Sequence, residues 1–249
     1  GQYETFLETT IWPKARAAGV SRATFDRAMG GKRLNTDIPG LVRPGQSTPQ
    51  RIRQAEFSAP ARYFNENNLG AIVSQGRRLA GQHASTLAAL ERRYGVPGRI
   101  ILAIWGRESA FGRVDIPHDA FQVLGTKAFM STRPELFQGE LVAARAMVER
   151  GMATPDQMKS SWAGALGQPQ FLPTSYLEHA VDMDGDRRPN IWTSVPDTLG
   201  SIAAYLNHFG WQPGRDWGYE VTVPAEISCS LEGPDQGLRI RDWEAMGIA

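Results

Sequence analysis

Glu108 is the residue of this chain whose setting most suggests chemistry. It follows an apolar run, Ile100-Ile101-Leu102-Ala103-Ile104-Trp105, and stands in Arg107-Glu108-Ser109 just ahead of Gly112. The run reads as a helix buried on most sides, and such a helix rarely carries an ionisable group that is neither paired nor functional. Where the helix emerges at a cleft wall, apolar surroundings disfavour the carboxylate. Its pKa rises, and the group can act as a general acid near neutrality. The residue types and helix pattern alone favour a surface ion pair with Arg107, Arg113 or a more distant arginine.

A second acidic feature invites a metal. Asp182, Asp184 and Asp186 alternate in Asp182-Met183-Asp184-Gly185-Asp186, like the opening of an EF-hand calcium loop. Calcium favours such hard oxygen ligands; the backbone carbonyl of Arg188 falls at the seventh position and Asn190 at the ninth. Arg187 stands where glycine is expected, and Thr193 where a bidentate glutamate belongs. The alternative is a metal-free turn whose carboxylates pair with Arg187 and Arg188. The four histidines, His83, His118, His179 and His208, lack a spacing such as H-E-x-x-H and read against zinc. Nucleophile elbows and phosphate-binding glycine loops are absent from the sequence. Cys229 is the only cysteine, which excludes an intrachain disulfide.

Two blocks, IWGRESAFG and SWAGALGQPQFLPTSY, resemble in type, spacing and order those of the lytic murein transglycosylase B family. The resemblance runs from about YFNENN at 63 to WQPG at 211. It implies a lysozyme-like fold and cleavage of the MurNAc-GlcNAc β-1,4 bond of peptidoglycan to give 1,6-anhydro-MurNAc ends. Glu108 matches the catalytic glutamate, acid first and base second. Ser161, Gln170 and Phe171 match active-site residues of the second block, and Tyr63 and Tyr205 match tyrosines lining the sugar cleft. Arg133 matches an arginine near the peptide-bearing sugar, while Leu136 stands where some members have a cleft tyrosine. Asp197 would close a longer, atypical calcium site with Asp182, Asp184, Asp186 and the carbonyl of Arg188.

The resemblance further implies no cofactor for catalysis, a structural calcium at most, and a periplasmic location in the bacterial envelope. Peptidoglycan glycan strands are the expected partner. A membrane anchor outside residues 1–249 and contacts with cell-wall synthesis or secretion-complex proteins are compatible with it. Family members continue past the region matched by DWEAMGI into further strand and a cleft-lining segment. A hydrolytic muramidase and a non-catalytic peptidoglycan-binding or scaffolding protein remain alternatives.

The rest of the chain must position these groups. Lys plus Arg is 27 and Asp plus Glu 26, a balance that argues against a nucleic-acid binder. No apolar run is long enough to suggest a membrane span. Helices are predicted over 3–18, 69–94, from Val96-Pro97 to Gly112, from Thr132 to Gly151, and over 196–209. Residues 30–48 read as an irregular connection. YEVTVPAEIS (219–228) and GLRIR (237–241) alternate like strands, and DWEAMGIA reads as a short, helical tail. The expected class is mainly α (α+β), with a lysozyme-like helical catalytic domain and a small β-containing C-terminal lobe. The expected segments are an N-terminal helical region 1–62, a catalytic core 63–211 holding the 182–197 loop, and a partial lobe 212–249.

Overall fold

Helices carry nearly all the regular structure of the computed structural model, which describes residues 1–28, 33–42, 65–233 and 235–249. In chain order they are α1 (Gln2–Phe6), α2 (Trp12–Ala17), α3 (Arg22–Arg27), α4 (Glu66–Gln82), α5 (Ala84–Tyr94), α6 (Gly98–Ser109), α7 (Ala120–Met130), α8 (Pro134–Glu149), α9 (Pro173–His179), α10 (Val195–His208) and α11 (Ile240–Ala245). The chain divides into two compact units, 1–211 and 212–249.

The first unit holds two main apolar cores. Ile11, Phe25, Leu124, Leu141, Met147 and Leu166 belong to one, gathered from α1–α3, α7–α9 and the loop between α8 and α9. Leu79, Leu90, Ile101, Trp105, Leu199 and Ile202 belong to the other, from α4–α6 and α10. Leu141, Ala144 and Met147 recur at helical spacing along α8 and are fully buried. Full burial of one such leucine contributes about 1.5–3 kcal/mol, so the inward face of α8 is firmly set.

Local chemistry explains where the helices depart from the simple pattern. Between α1 and α2 a π turn spans Leu7–Ile11. Pro13 lacks an N–H and crowds the carbonyl four residues back, and the wider turn makes room for it. The helix expected over 69–94 starts at Glu66, because Asn65 caps it by accepting from the Asn67 N–H at 3.0 Å. It breaks at His83, with φ −108° and ψ 20°. Gly81 is a poor helix former, and the His83 ring turns edge-on to Trp105 at 5.9 Å. Helix α6 buries Ile101, Leu102, Trp105, Gly106 and Ser109 while Ala103, Arg107 and Glu108 stay exposed. It is one-sided rather than buried on most sides.

The expected strands of the C-terminal lobe are not formed. The paired strands among the described residues are β1 (His118–Asp119) and β2 (Lys159–Ser160), antiparallel and in the first unit. The described residues of 212–249 hold a 3₁₀ turn at Cys229–Leu231, α11, and one reciprocal pair of backbone bonds between Thr222 and Ala249. Alternation marks a face, but only a neighbouring ladder turns it into sheet. Val221, Val223 and Ile240 accordingly remain exposed.

Candidate active site

Glu108 occupies the last turn of α6, and the chain immediately after it is tightly constrained. Ser109, fully buried, accepts from the Gly112 N–H at 3.0 Å and donates to the Trp105 carbonyl at 3.3 Å. Ala110, Phe111 and Gly112 take successive left-handed conformations, with φ of 48°, 60° and 76°. Each non-glycine residue there costs about 1–2 kcal/mol, so packing must hold the turn. Phe111 folds back onto α6, its ring edge-on to Trp105 at 5.4 Å. Gly106 leaves the space, since a Cβ there would lie 2.6 Å from the Phe111 ring. A Cβ at Gly112 would collide with the carboxamide of Gln168.

The residue Glu108 reaches solvent, yet its carboxyl is crowded enough that lost hydration raises its pKa above the ordinary value. The Arg107 charge pulls the other way and does not prevail. A carboxyl held in this manner can give up a proton at higher pH than a free glutamate and can take it back.

Gln168 joins this turn to the second block. Its Oε1 accepts from the Trp105 indole N–H at 2.8 Å, and its Nε2 donates to the Trp192 carbonyl at 2.9 Å. The buried amide thus ties α6 to the loop that carries Ser161, Gln170 and Phe171. Within that loop the backbones of Leu166 and Phe171 pair. Ser161 Oγ accepts from the Ala163 N–H at 3.3 Å, and Gln170, at φ 57°, donates to the Gly167 carbonyl at 3.0 Å. Phe171 is buried and lies 5.4 Å from the half-buried Tyr205 ring of α10. Arg133 is exposed at the start of α8, where its N–H donates to Ser131 Oγ at 3.2 Å. Leu136 is also exposed. Tyr63 lies outside the described residues.

Sequence reasoning quoted Gln168 within a block without singling it out. An amide held between Gly167 and Pro169, two residues ahead of Gln170, was the signal in the sequence. It equally passed over Trp162, which is exposed and sits with its ring centroid 3.7 Å from that of His118.

Carboxylate oxygens of Asp182, Asp184, Asp186 and Asp197 lie within 4.8 Å of one another. Asp197, fully buried in the first turn of α10, accepts from Met183 N–H at 2.7 Å, Asp184 N–H at 3.3 Å and Asn190 N–H at 2.8 Å. Burial raises its pKa despite those bonds. Burial works to raise Asp182 too, but N–H groups of Arg187 and Gly185 outweigh it and hold that carboxyl below its usual value. Arg187 takes φ 71°, the left-handed conformation normally given to glycine. Arg188 donates its N–H to Asp186 at 2.8 Å.

Residues 2–249 match the transglycosylase SLT domain. The chain belongs to this family. It is 38% identical over 202 residues to the membrane-bound lytic murein transglycosylase B of Escherichia coli K12, covering 78% of this chain and 56% of that protein. Among solved structures, SltB3 from Pseudomonas aeruginosa in complex with NAG-NAM-pentapeptide superposes with TM-score 0.83 at 33% identity, over 100% of this chain and 64% of that one. The Escherichia coli lytic transglycosylase Slt35 in complex with calcium gives TM-score 0.61 at 31% identity, over 72% of this chain and 57% of that one. This SLT domain therefore has the lysozyme-like, mostly helical fold, and spans a little over half the length of the curated relative it matches. Glu108 and the 161–171 loop both lie inside the matched residues.

Proposed function

We propose that this SLT domain is a lytic transglycosylase of peptidoglycan, cleaving the MurNAc-GlcNAc β-1,4 bond with Glu108 as the one acid–base group. The observation that carries the reading is Glu108, its pKa raised by lost hydration, on a helix that the Gln168 amide ties to the 161–171 loop, which has no carboxylate of its own. Across 98–112 and 161–171, Glu108 is the only carboxyl-bearing residue. Common glycoside hydrolysis requires two such groups.

Protonated Glu108 gives its proton to the glycosidic oxygen as the bond to the MurNAc anomeric carbon breaks. The GlcNAc 4-hydroxyl leaves. The carboxylate then takes the proton from the MurNAc 6-hydroxyl, whose oxygen closes on the anomeric carbon. Glu108 ends protonated, no water is consumed, and the product carries a 1,6-anhydro ring. Nucleophile and electrophile share one sugar, which lowers the entropic cost of attack. Ser161 and Gln170 supply polar groups that position the substrate N-acetyl group, which steadies the developing charge. Phe171 and Tyr205 line the sugar, and Arg133 meets the peptide-bearing sugar; Tyr63, the other tyrosine matched to the cleft, lies outside the described residues. In this division 63–211 carries catalysis, with 1–62 before it and 212–249 after it.

The partner in this reading is peptidoglycan in the periplasm. No described helix is long and apolar enough to cross a membrane. Mass spectrometry of products from purified murein tests the activity. Anhydro ends are expected; reducing ends would point to a muramidase, and no products to a binding protein.

The same reading gives the acidic loop a structural calcium, held by Asp182, Asp184, Asp186, Asp197 and the Arg188 carbonyl. Calcium sits about 2.3–2.6 Å from each ligand, which suits oxygens of four carboxylates within 4.8 Å. Binding only the folded chain, the ion adds stability by mass action. Chelation with EGTA is expected to lower the melting temperature relative to excess calcium. Asp184→Ala should abolish the difference, and equal wild-type melts in both buffers would remove calcium from the account.

A further inference from the structure

We infer that Glu178, His179 and His208 form a second metal site, which takes a divalent transition-metal ion of the zinc class. The histidines are far apart in sequence and show no ligand spacing there. Folding brings the last turn of α9 beside the last residue of α10, and one ligand atom from each of the three side chains then lies within 4.8 Å of the others.

The geometry already approaches coordination. His179 Nε2 and Glu178 Oε2 are 3.5 Å apart. Ligands held about 2.0–2.2 Å from a tetrahedral zinc are separated by about 3.4 Å, so this edge needs no movement. His179 is buried, with Tyr205 packed edge-on at 5.2 Å and Phe209 at 5.4 Å, so its ring is fixed in place. The imidazole centroids of His179 and His208 lie 4.6 Å apart. His208 and Glu178 are exposed, and rotation about their side-chain bonds closes what remains. His208 also ends a 14-residue helix, where the partial negative charge of the last carbonyls favours a cation.

The donor set identifies the ion. Two imidazoles and one carboxylate suit zinc and its neighbours, whereas the all-oxygen aspartate loop suits calcium. Three protein ligands leave a fourth position for water, and the ion ties the end of α9 to that of α10 beside Tyr205.

Isothermal titration of the full chain with zinc, in excess calcium so that the aspartate loop does not compete, tests the site. One zinc per chain is expected. His208→Ala and Glu178→Gln, both at exposed positions, should each weaken binding by about tenfold or more. Asp184→Ala and Cys229→Ser should bind as wild type. Absence of stoichiometric zinc, a smaller loss in His208→Ala, or loss of binding in Cys229→Ser would overturn the assignment.

Discussion

Glu108→Gln is expected to slow glycan cleavage by about 10²–10⁴-fold or more while leaving the melting temperature and murein binding close to wild type. The amide keeps the shape of the side chain but carries no transferable proton, and both proton transfers depend on this group. Release of anhydro-muropeptides from purified murein is the measurement; near-normal turnover would remove Glu108 from the mechanism. The pH profile supplies an independent reading. The first step needs the protonated acid, so the rate is full below the pKa of Glu108 and falls as pH climbs through it. Lost hydration places that fall above the ordinary glutamate value of about 4.3. Arg107→Leu removes the charge that lowers the pKa, and should move the fall to still higher pH.

Asp197→Ala is expected to destabilise the first unit by roughly 3 kcal/mol or more, with EGTA in both arms so that calcium does not enter the comparison. Its carboxylate receives the N–H groups of Met183, Asp184 and Asn190, and alanine offers none of them an acceptor. A donor left without a partner in the interior costs about 1–3 kcal/mol, and the side chain is fully buried. Urea melts of the two proteins measure the difference. A loss below about 1 kcal/mol would mean that water reaches these N–H groups and that the aspartate does not organise the loop.

Much of the helical frame was legible because its signals are local. Pro134 opens α8, Gly95 ends α5 in a left-handed conformation, and apolar spacing marks the inward faces. Glu108 stood out because a charged residue interrupts an apolar helix. The features that escaped depend on distant parts of the chain. The break at His83 is coupled to Trp105, and Gln168 acquires its role only when the Trp105 indole meets it. The alternation at 219–228 was a true pattern without a partner strand, since Thr222 alone bonds to backbone distant in the chain and the other bonds there are local turns. The aspartate loop departs from its residue pattern at one position. Arg187 argued against the tight turn, yet the backbone adopts it, with the Asp182 carboxylate accepting the Arg187 N–H at 2.7 Å.

The Trp105–Gln168 bond spans 63 residues of sequence, and this separation governs when the site comes into being. Every bond of the α6 ladder is local, but a 12-residue helix is marginal in water by itself and takes most of its stability from packing. The amide strut must wait until the intervening loops and helices have been drawn together, at the entropic cost of closing a long loop. A chain in which the 161–171 loop has not docked lacks the strut behind the turn that follows Glu108. On the proposed reading, lytic competence belongs to the assembled tertiary fold, and a denaturant that loosens the loop first would silence the glutamate while the helices persist.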